Sequence, residues 1–200
     1  MSPDKDFARA EQFLIEALER NRNDYQLHFG LGRIRRFQGR IVESKEAFEA
    51  AIALDPNNAS AIMQLGVTYD ILGDPENALL YLEQARLLNP KHPNIYFNYV
   101  GLGQANLHLG NLDLAIEWFR KARSSNMQFY LVPYYLAATL GLRGDLDEAR
   151  LVLAEGIRLG PDFSTLTAWR RYPVHSYAPF AELQEKTFFR GLNLAGMSEE

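Results

Sequence analysis

A glycine returns along this chain at nearly constant spacing: Gly39, Gly73, Gly110 and Gly144 are separated by 34, 37 and 34 residues. Each stands in a short break, FQGRI, LGDPE, LGNLD and RGDLD, between two stretches whose apolar residues follow helical spacing. A unit of this length is one helix–turn–helix that cannot bury its apolar face alone and has to stack on its neighbours. The recurrence therefore dictates a string of helix pairs, each touching only the next, in place of one central core.

Columns on both sides of the glycines keep the same register. Gly32, Gly66, Gly103 and Ala137 stand seven residues before them, and Leu31, Leu65, Leu102 and Leu136 eight before. Glycine inside a helix costs about 1 kcal/mol relative to alanine, so the small column marks places where a neighbouring helix comes too close for a side chain. Downstream, Ser44, Ala78, Ala115 and Ala149, then Phe48, Leu82, Phe119 and Leu153, then Ala51, Ala85, Ala122 and Gly156 alternate small, large and small along one face of a second helix. Pro56, Pro90, Met127 and Pro161 follow seventeen residues after the turn, where a proline ends that helix and opens the connection onward.

These columns resemble the tetratricopeptide repeat. The segment Ala59–His92, ASAIMQLGVTYDILGDPENALLYLEQARLLNPKH, matches that pattern almost throughout, including Tyr69, whose place is taken by Arg35, Asn106 and Leu140 in the other units. The resemblance implies an all-α, right-handed solenoid of antiparallel helix pairs with C-terminal capping helices. Four repeats are expected at residues 25–58, 59–92, 93–129 and 130–163. Residues 1–24 read as a leading half-repeat, because Ala10, Leu14 and Ala17 fill the second-helix columns one period early. That start in mid-repeat points to the C-terminal piece of a longer protein, or to a helix serving as a cap. Residues 164–200 read as a capping segment, with a short helix to about Tyr172 and an amphipathic helix from about Pro179 to Leu194. Three extra residues between Pro93 and Gly103 predict a first helix lengthened by almost a turn in the third repeat.

From Pro93 onward a narrower likeness emerges. LGNLDLAIEWFRKA, LGPDFS, WRRYP and the closing GLNLAGMSEE resemble the C-terminal repeat region of bacterial class III adenylate and guanylate cyclases, and similar tails follow winged-helix regulators. No catalytic domain of either kind is present, so the resemblance implies an appended regulatory or interaction module of a bacterial signalling protein.

Composition narrows the chemistry. With 47% hydrophobic and 23% charged residues over 200 positions the chain is not disordered, and without cysteine it has no disulfide, thiolate metal site or catalytic thiol. The N-terminal residues show no secretory signal and no segment is long and apolar enough to span a bilayer, so a cytoplasmic protein without membrane attachment is expected. A net charge of −4 does not favour nucleic acid. There is no phosphate-binding Gly-Lys-Ser/Thr run, no nucleophile elbow and no histidine pair four apart. The Gly30-Leu31-Gly32 and Gly101-Leu102-Gly103 pairs lie within helices and serve packing, and Asp145, Asp147 and Glu148 cluster at a helix start, where carboxylates favour the dipole. No catalysis, metal or cofactor is expected.

The family resemblance places ligands on the concave surface lined by the first helices. Reading thirteen, ten, six and three residues before each turn glycine gives one helical face. It presents Gln26, Phe29, Arg33 and Arg36, then Ser60, Met63, Val67 and Asp70, then Phe97, Val100, Gln104 and Leu107, then Leu131, Tyr134, Ala138 and Gly141. One end is cationic, with Arg35 and Arg40 beside Arg33 and Arg36; the other is aromatic and apolar. Chaperone-binding members of the family grip a carboxylate with lysine and asparagine, but here Phe29 and Arg33 stand at those positions. A peptide with apolar anchors and an acidic residue fits better. Two other readings stay open: the uncharged third and fourth first helices are covered by the C-terminal segment, with Trp169, Tyr172 or Phe180 in the groove, or they are buried in a homodimer.

Overall fold

The computed structural model of the chain describes residues 3–171 and 173–200. Helix α1 spans Pro3–Arg20, and four antiparallel pairs follow. They are α2 (Tyr25–Phe37) with α3 (Ile41–Leu54), α4 (Ala59–Ile71) with α5 (Pro75–Leu88), α6 (Ile95–His108) with α7 (Leu112–Ser125), and α8 (Leu131–Arg143) with α9 (Leu146–Leu159). Asp24, Asn58 and Asp74 cap α2, α4 and α5 by accepting from the backbone N–H of Gln26, Ala61 and Asn77.

All four turn glycines adopt positive φ, from 76° to 97°. That conformation lets the next N–H reach back to close the first helix: Arg40 to the Arg35 carbonyl, Asp74 to Tyr69, Asn111 to Asn106 and Asp145 to Leu140, at 2.9–3.0 Å. The column four residues before the glycine, whose side chain differs in every repeat, is thus held through its backbone.

The small column does what its composition demands. A Cβ at Gly32 would lie 2.7 Å from the Phe48 ring, and one at Gly103 would lie 2.5 Å from Phe119. In the second pair Gly66 faces Leu82 and the Ala78 carbonyl. In the first three pairs a large residue on the second helix sits against the bare backbone of the first, and Ser44 adds a 2.7 Å hydrogen bond to the Gly32 carbonyl. The third repeat differs from expectation. Helix α6 gains one residue over α4, and the connection before it, residues 89–94, takes up the rest of the insertion.

Beyond α9 a 3-10 turn, Pro161–Phe163, leads to α10 (Leu166–Arg170); the expected endpoint Tyr172 lies outside the described residues. A second 3-10 turn, Pro173–Ser176, lies against α2, α11 (Ala178–Gln184) against α4, and α12 (Arg190–Leu194) against α8. Between α11 and α12 the chain forms one π-helical turn, Glu185–Phe189, which packs on α6 and α8. Phe180, Gln184, Phe188 and Leu192 are all buried, at steps of four. In an ideal α-helix such a stripe drifts off one face by about 40° per step, and the wider turn takes up that drift. The segment returns to its start, with Leu166 and Thr167 N–H donating to the Ser198 and Glu199 carbonyls.

The closest approach in this packing is backbone to backbone. A Cβ built on Gly191 would lie 2.1 Å from the Ala138 carbonyl oxygen, and one on Gly141 would lie 2.4 Å from the Gly191 carbonyl oxygen. Gly191→Val is expected to cost about 3 kcal/mol or more and to release α12. A lowered Tm with red-shifted emission from Trp169, which is 3% exposed, is the expected signature; unchanged melting and emission would contradict this packing.

Candidate functional site

The concave groove is divided into a filled and an open part. Over repeats three and four the C-terminal segment occupies it. Tyr134 is fully buried, its hydroxyl donating to the Gly160 carbonyl at 2.7 Å and its ring 4.9 Å from Trp169. Tyr135 packs at 4.4 Å on Phe188, and Val100 and Leu107 are buried in the same cluster with Phe189 and Leu192. Leu131 is half-buried beside them. Burial holds both tyrosine hydroxyls well above the usual phenol range, so neither serves as an acid or base near neutral pH.

A polar connection crosses the middle of the groove. His108, on α6, points Nδ1 at Asp70 Oδ1 on α4 at 2.8 Å, and Gln184 Nε2 on α11 lies 2.9 Å from His108 Nε2. The carboxylate places the proton on Nδ1, so Nε2 accepts from the Gln184 amide. Asp70 and the His108 side chain are both buried. Asp70, expected as a charge on the groove surface, is thereby spent inside the fold. Gln104 is half-buried and lies close to Tyr135.

Phe180 closes the next part of the groove with Ile41 and Ile71, flanked by half-buried Val67, Val174 and Tyr177. Trp169 and Phe180 are covered as the occlusion reading expected. The main fillers Phe188, Phe189 and Leu192 were not singled out from the sequence, although the small residues Ala138 and Gly141 facing Gly191 of FFRGL carried the signal.

The open part lies on α2, the start of α4 and the start of α6. Gln26 and Arg33 are exposed, Phe29 and Arg36 half-buried, Met63 is buried in the core cluster of the second repeat, and Phe97 is 40% exposed beside Tyr96 and Phe129. A recess of about 230 Å³ is lined by Tyr25, Gln26, Phe29, Asn58 and Ser60. The expected cluster of four arginines separates into two. Arg35 and Arg40 both reach Glu11 of α1, at 3.1 and 2.6 Å, and Arg40 also pairs with Glu43. Their charge is neutralised away from the groove. Arg36 instead meets only the Gln64 carbonyl and side-chain oxygen, with its guanidinium 5.8 Å from the Phe48 ring centre.

Profiles of the tetratricopeptide repeat match residues 25–58 and 63–128, together half of the chain. The chain belongs to the tetratricopeptide-repeat family. It is 31% identical over 123 residues to the CTR9 homolog protein of Arabidopsis thaliana, covering 60% of this chain and 11% of that protein. The chain thus spans about a tenth of that relative. Its fold is similar to the crystal structure of PilW, a type IV pilus biogenesis factor, with a TM-score of 0.74 at 18% identity over 92% of this chain and 83% of that one. It is also similar to YrrB, described as a tetratricopeptide-repeat protein with an unusual peptide-binding site, with a TM-score of 0.58 at 18% identity over 90% and 91% of the two chains. The cyclase and winged-helix likeness rests on the residues from Pro93 onward and is not carried by these matches. Among the described residues no helix is long and apolar enough to cross a membrane, and no three His, Asp or Glu residues gather as metal ligands.

One titration bears on the filled groove. His175, in the turn against α2, is stacked on Phe180 and close to Phe189. Burial pushes its imidazole down to about 4, against a smaller upward pull from the Glu185 carboxylate. A histidine whose folded pKa lies below its ordinary 6.5 is neutral when folded, while the unfolded chain takes up a proton first as pH falls. Its contribution is therefore full above about pH 6.5 and is lost progressively down to about pH 4. Tm is expected to fall across that window, and His175→Phe to flatten the fall; an identical pH profile in the variant would refute this role.

Proposed function

We propose that this chain is a non-catalytic protein-interaction module whose groove is closed by its own C-terminal segment over repeats three and four and on part of α2 and α4, and receives a peptide or partner segment at the end left open. The observation that carries this reading is the division itself. Tyr134, Leu107 and Val100 are buried in one cluster with residues of the C-terminal segment, while Gln26, Phe29, Arg33 and Phe97 remain accessible. Apolar anchors would meet Phe29, the recess beside it and Phe97, and an acidic residue would meet the arginines, in keeping with a partner that is peptide-like and acidic. YrrB, similar in fold, is named for a peptide-binding site, which favours the same class of ligand.

Apart from the start of α6, the uncharged first helices α6 and α8, which a homodimer formed through the groove would need as its surface, are covered within the same chain. The signalling context implied by the residues after Pro93 belongs to this proposal: the module would position or regulate a cyclase or winged-helix domain carried by a longer protein, in the cytoplasm.

Peptides selected from a random display library on the full chain test the reading. Bound peptides are expected to shift the NMR signals of α2, α4 and the start of α6, and Phe29→Ala to weaken binding by about tenfold. Perturbation centred on α8 with loss of α12, or no selectable peptide, would overturn it.

A further inference from the structure

Helix α5 has two unlike faces. Pro75, Ala78, Leu82 and Ala85 are buried on the side that packs against the first helices α4 and α6. On the opposite side Leu80 and Leu87 are 68% and 69% exposed, two turns apart. With Leu79, Leu88, Glu83 and Gln84 they line an open recess of about 530 Å³. At these two columns, seven and fourteen residues after the turn glycine, the other second helices carry Glu46, Glu117 and Leu151, then Ala53, Ser124 and Arg158. Leucine at both belongs to α5 alone, so the packing that every repeat shares does not account for it. A contiguous apolar strip rimmed by polar groups marks a surface that another body covers.

The order of residues along the strip says which body. From either end it runs charge, two leucines, a polar centre, two leucines and charge. Glu76 is exposed in the first turn of α5, Lys91 is exposed three residues beyond its end, and among the described residues neither is in an ion pair. A two-fold axis across the helix, between Glu83 and Gln84, sets Leu80 opposite Leu87 of a second copy, Leu79 opposite Leu88, Glu83 opposite Gln84 and Glu76 opposite Lys91, with each pairing made twice. Arg86 holds Glu83 through Oε2, which leaves Oε1 to accept from the facing Gln84 amide. Parallel helices would instead set Glu76 on Glu76 and Lys91 on Lys91. Sliding the antiparallel pair by one turn would set the leucines against charged or polar residues.

We propose that this face of α5 docks on the same face of a second copy of the chain, forming an antiparallel two-fold dimer built on Leu80 and Leu87 and closed at each end by Glu76 and Lys91. The strip points away from α4 and α6, so the groove stays open in each copy and the dimer is independent of the peptide reading. One helix per copy is a small contact beside the ~1,600 Å² of a typical stable interface, and a dissociation constant on the order of 10 μM is expected.

Sedimentation equilibrium of the full chain, from about 1 μM to 1 mM, tests this, with a monomer–dimer equilibrium expected. A monomer at every concentration would overturn the proposal. Leu87→Glu, at an exposed position that does not threaten folding, should weaken the dimer at least about tenfold with Tm of the diluted chain unchanged. A dimer as tight as that of the unaltered chain would place the contact elsewhere and overturn it. Glu76→Lys and Lys91→Glu should each loosen association about threefold, and the two together should restore it, because the facing charges are then exchanged. Failure of the double variant to recover would contradict the antiparallel register. The chain contains no cysteine, so single cysteines report the geometry cleanly. Gln84→Cys, beside the axis, should form a disulfide-linked dimer on mild oxidation, whereas Leu80→Cys, whose two copies stand about 10 Å apart along the helices, should not. Equal cross-linking of both, or of neither, would overturn the arrangement.

Discussion

Absent side chains are what the rest of this structure depends on. Phe48 and Phe119 can seat against the helix before them only because Gly32 and Gly103 offer bare backbone. The same device is used again between α12 and α8, where Gly141 and Gly191 let two helix backbones touch. Close approach brings dispersion contacts and excludes water, but it makes each such position intolerant of even one added methyl group. In the fourth repeat the relation is inverted: Ala137 fills the small column, and Gly156 on α9 accommodates the Tyr134 ring.

Filling half of the groove with its own segment changes what the other half can do. The aromatic and apolar residues of α6 and α8 become core, and their cluster extends continuously through Trp169 and Phe188. The one carboxylate of the groove stripe is tied to His108 and, through it, to Gln184 of the filling segment. What stays accessible is short, flanked by Phe29 and Phe97, and cationic. The groove is thus a site of limited length, suited to a few residues of a partner and not to a helix lying along all four repeats.

Much of the fold was legible in the sequence because repetition averages out local ambiguity. Four copies of one glycine, each followed by the same small and large columns, fix the helix pairs, their turns and their stacking. The three inserted residues could not be placed that way, since a single copy has no period, and they went mainly into the connection before α6. A stripe of first-helix residues can be proposed from the period as the groove, but whether those residues face water cannot be read that way. Burial of Tyr134 and Leu107 depends on Phe188, Leu192 and Gly191, which lie far away in sequence and outside the repeat. The four-residue steps of the Phe180–Leu192 stripe fit a π turn, whereas an ordinary helical reading looks for steps of three and four. Likewise, the separation of Arg35 and Arg40 from Arg33 and Arg36 follows from Glu11 on α1, a long-range pairing that no column announces.

The central claim is that the C-terminal segment is a resident part of the groove in the free protein. Amide hydrogen exchange of the full chain tests it most directly. Residues 178–194 are predicted to exchange as slowly as α8, the helix they cover, because their N–H groups open only when that packing is lost. Exchange of those amides within seconds, while α8 stays protected, would mean that the groove is open in solution and would contradict the account.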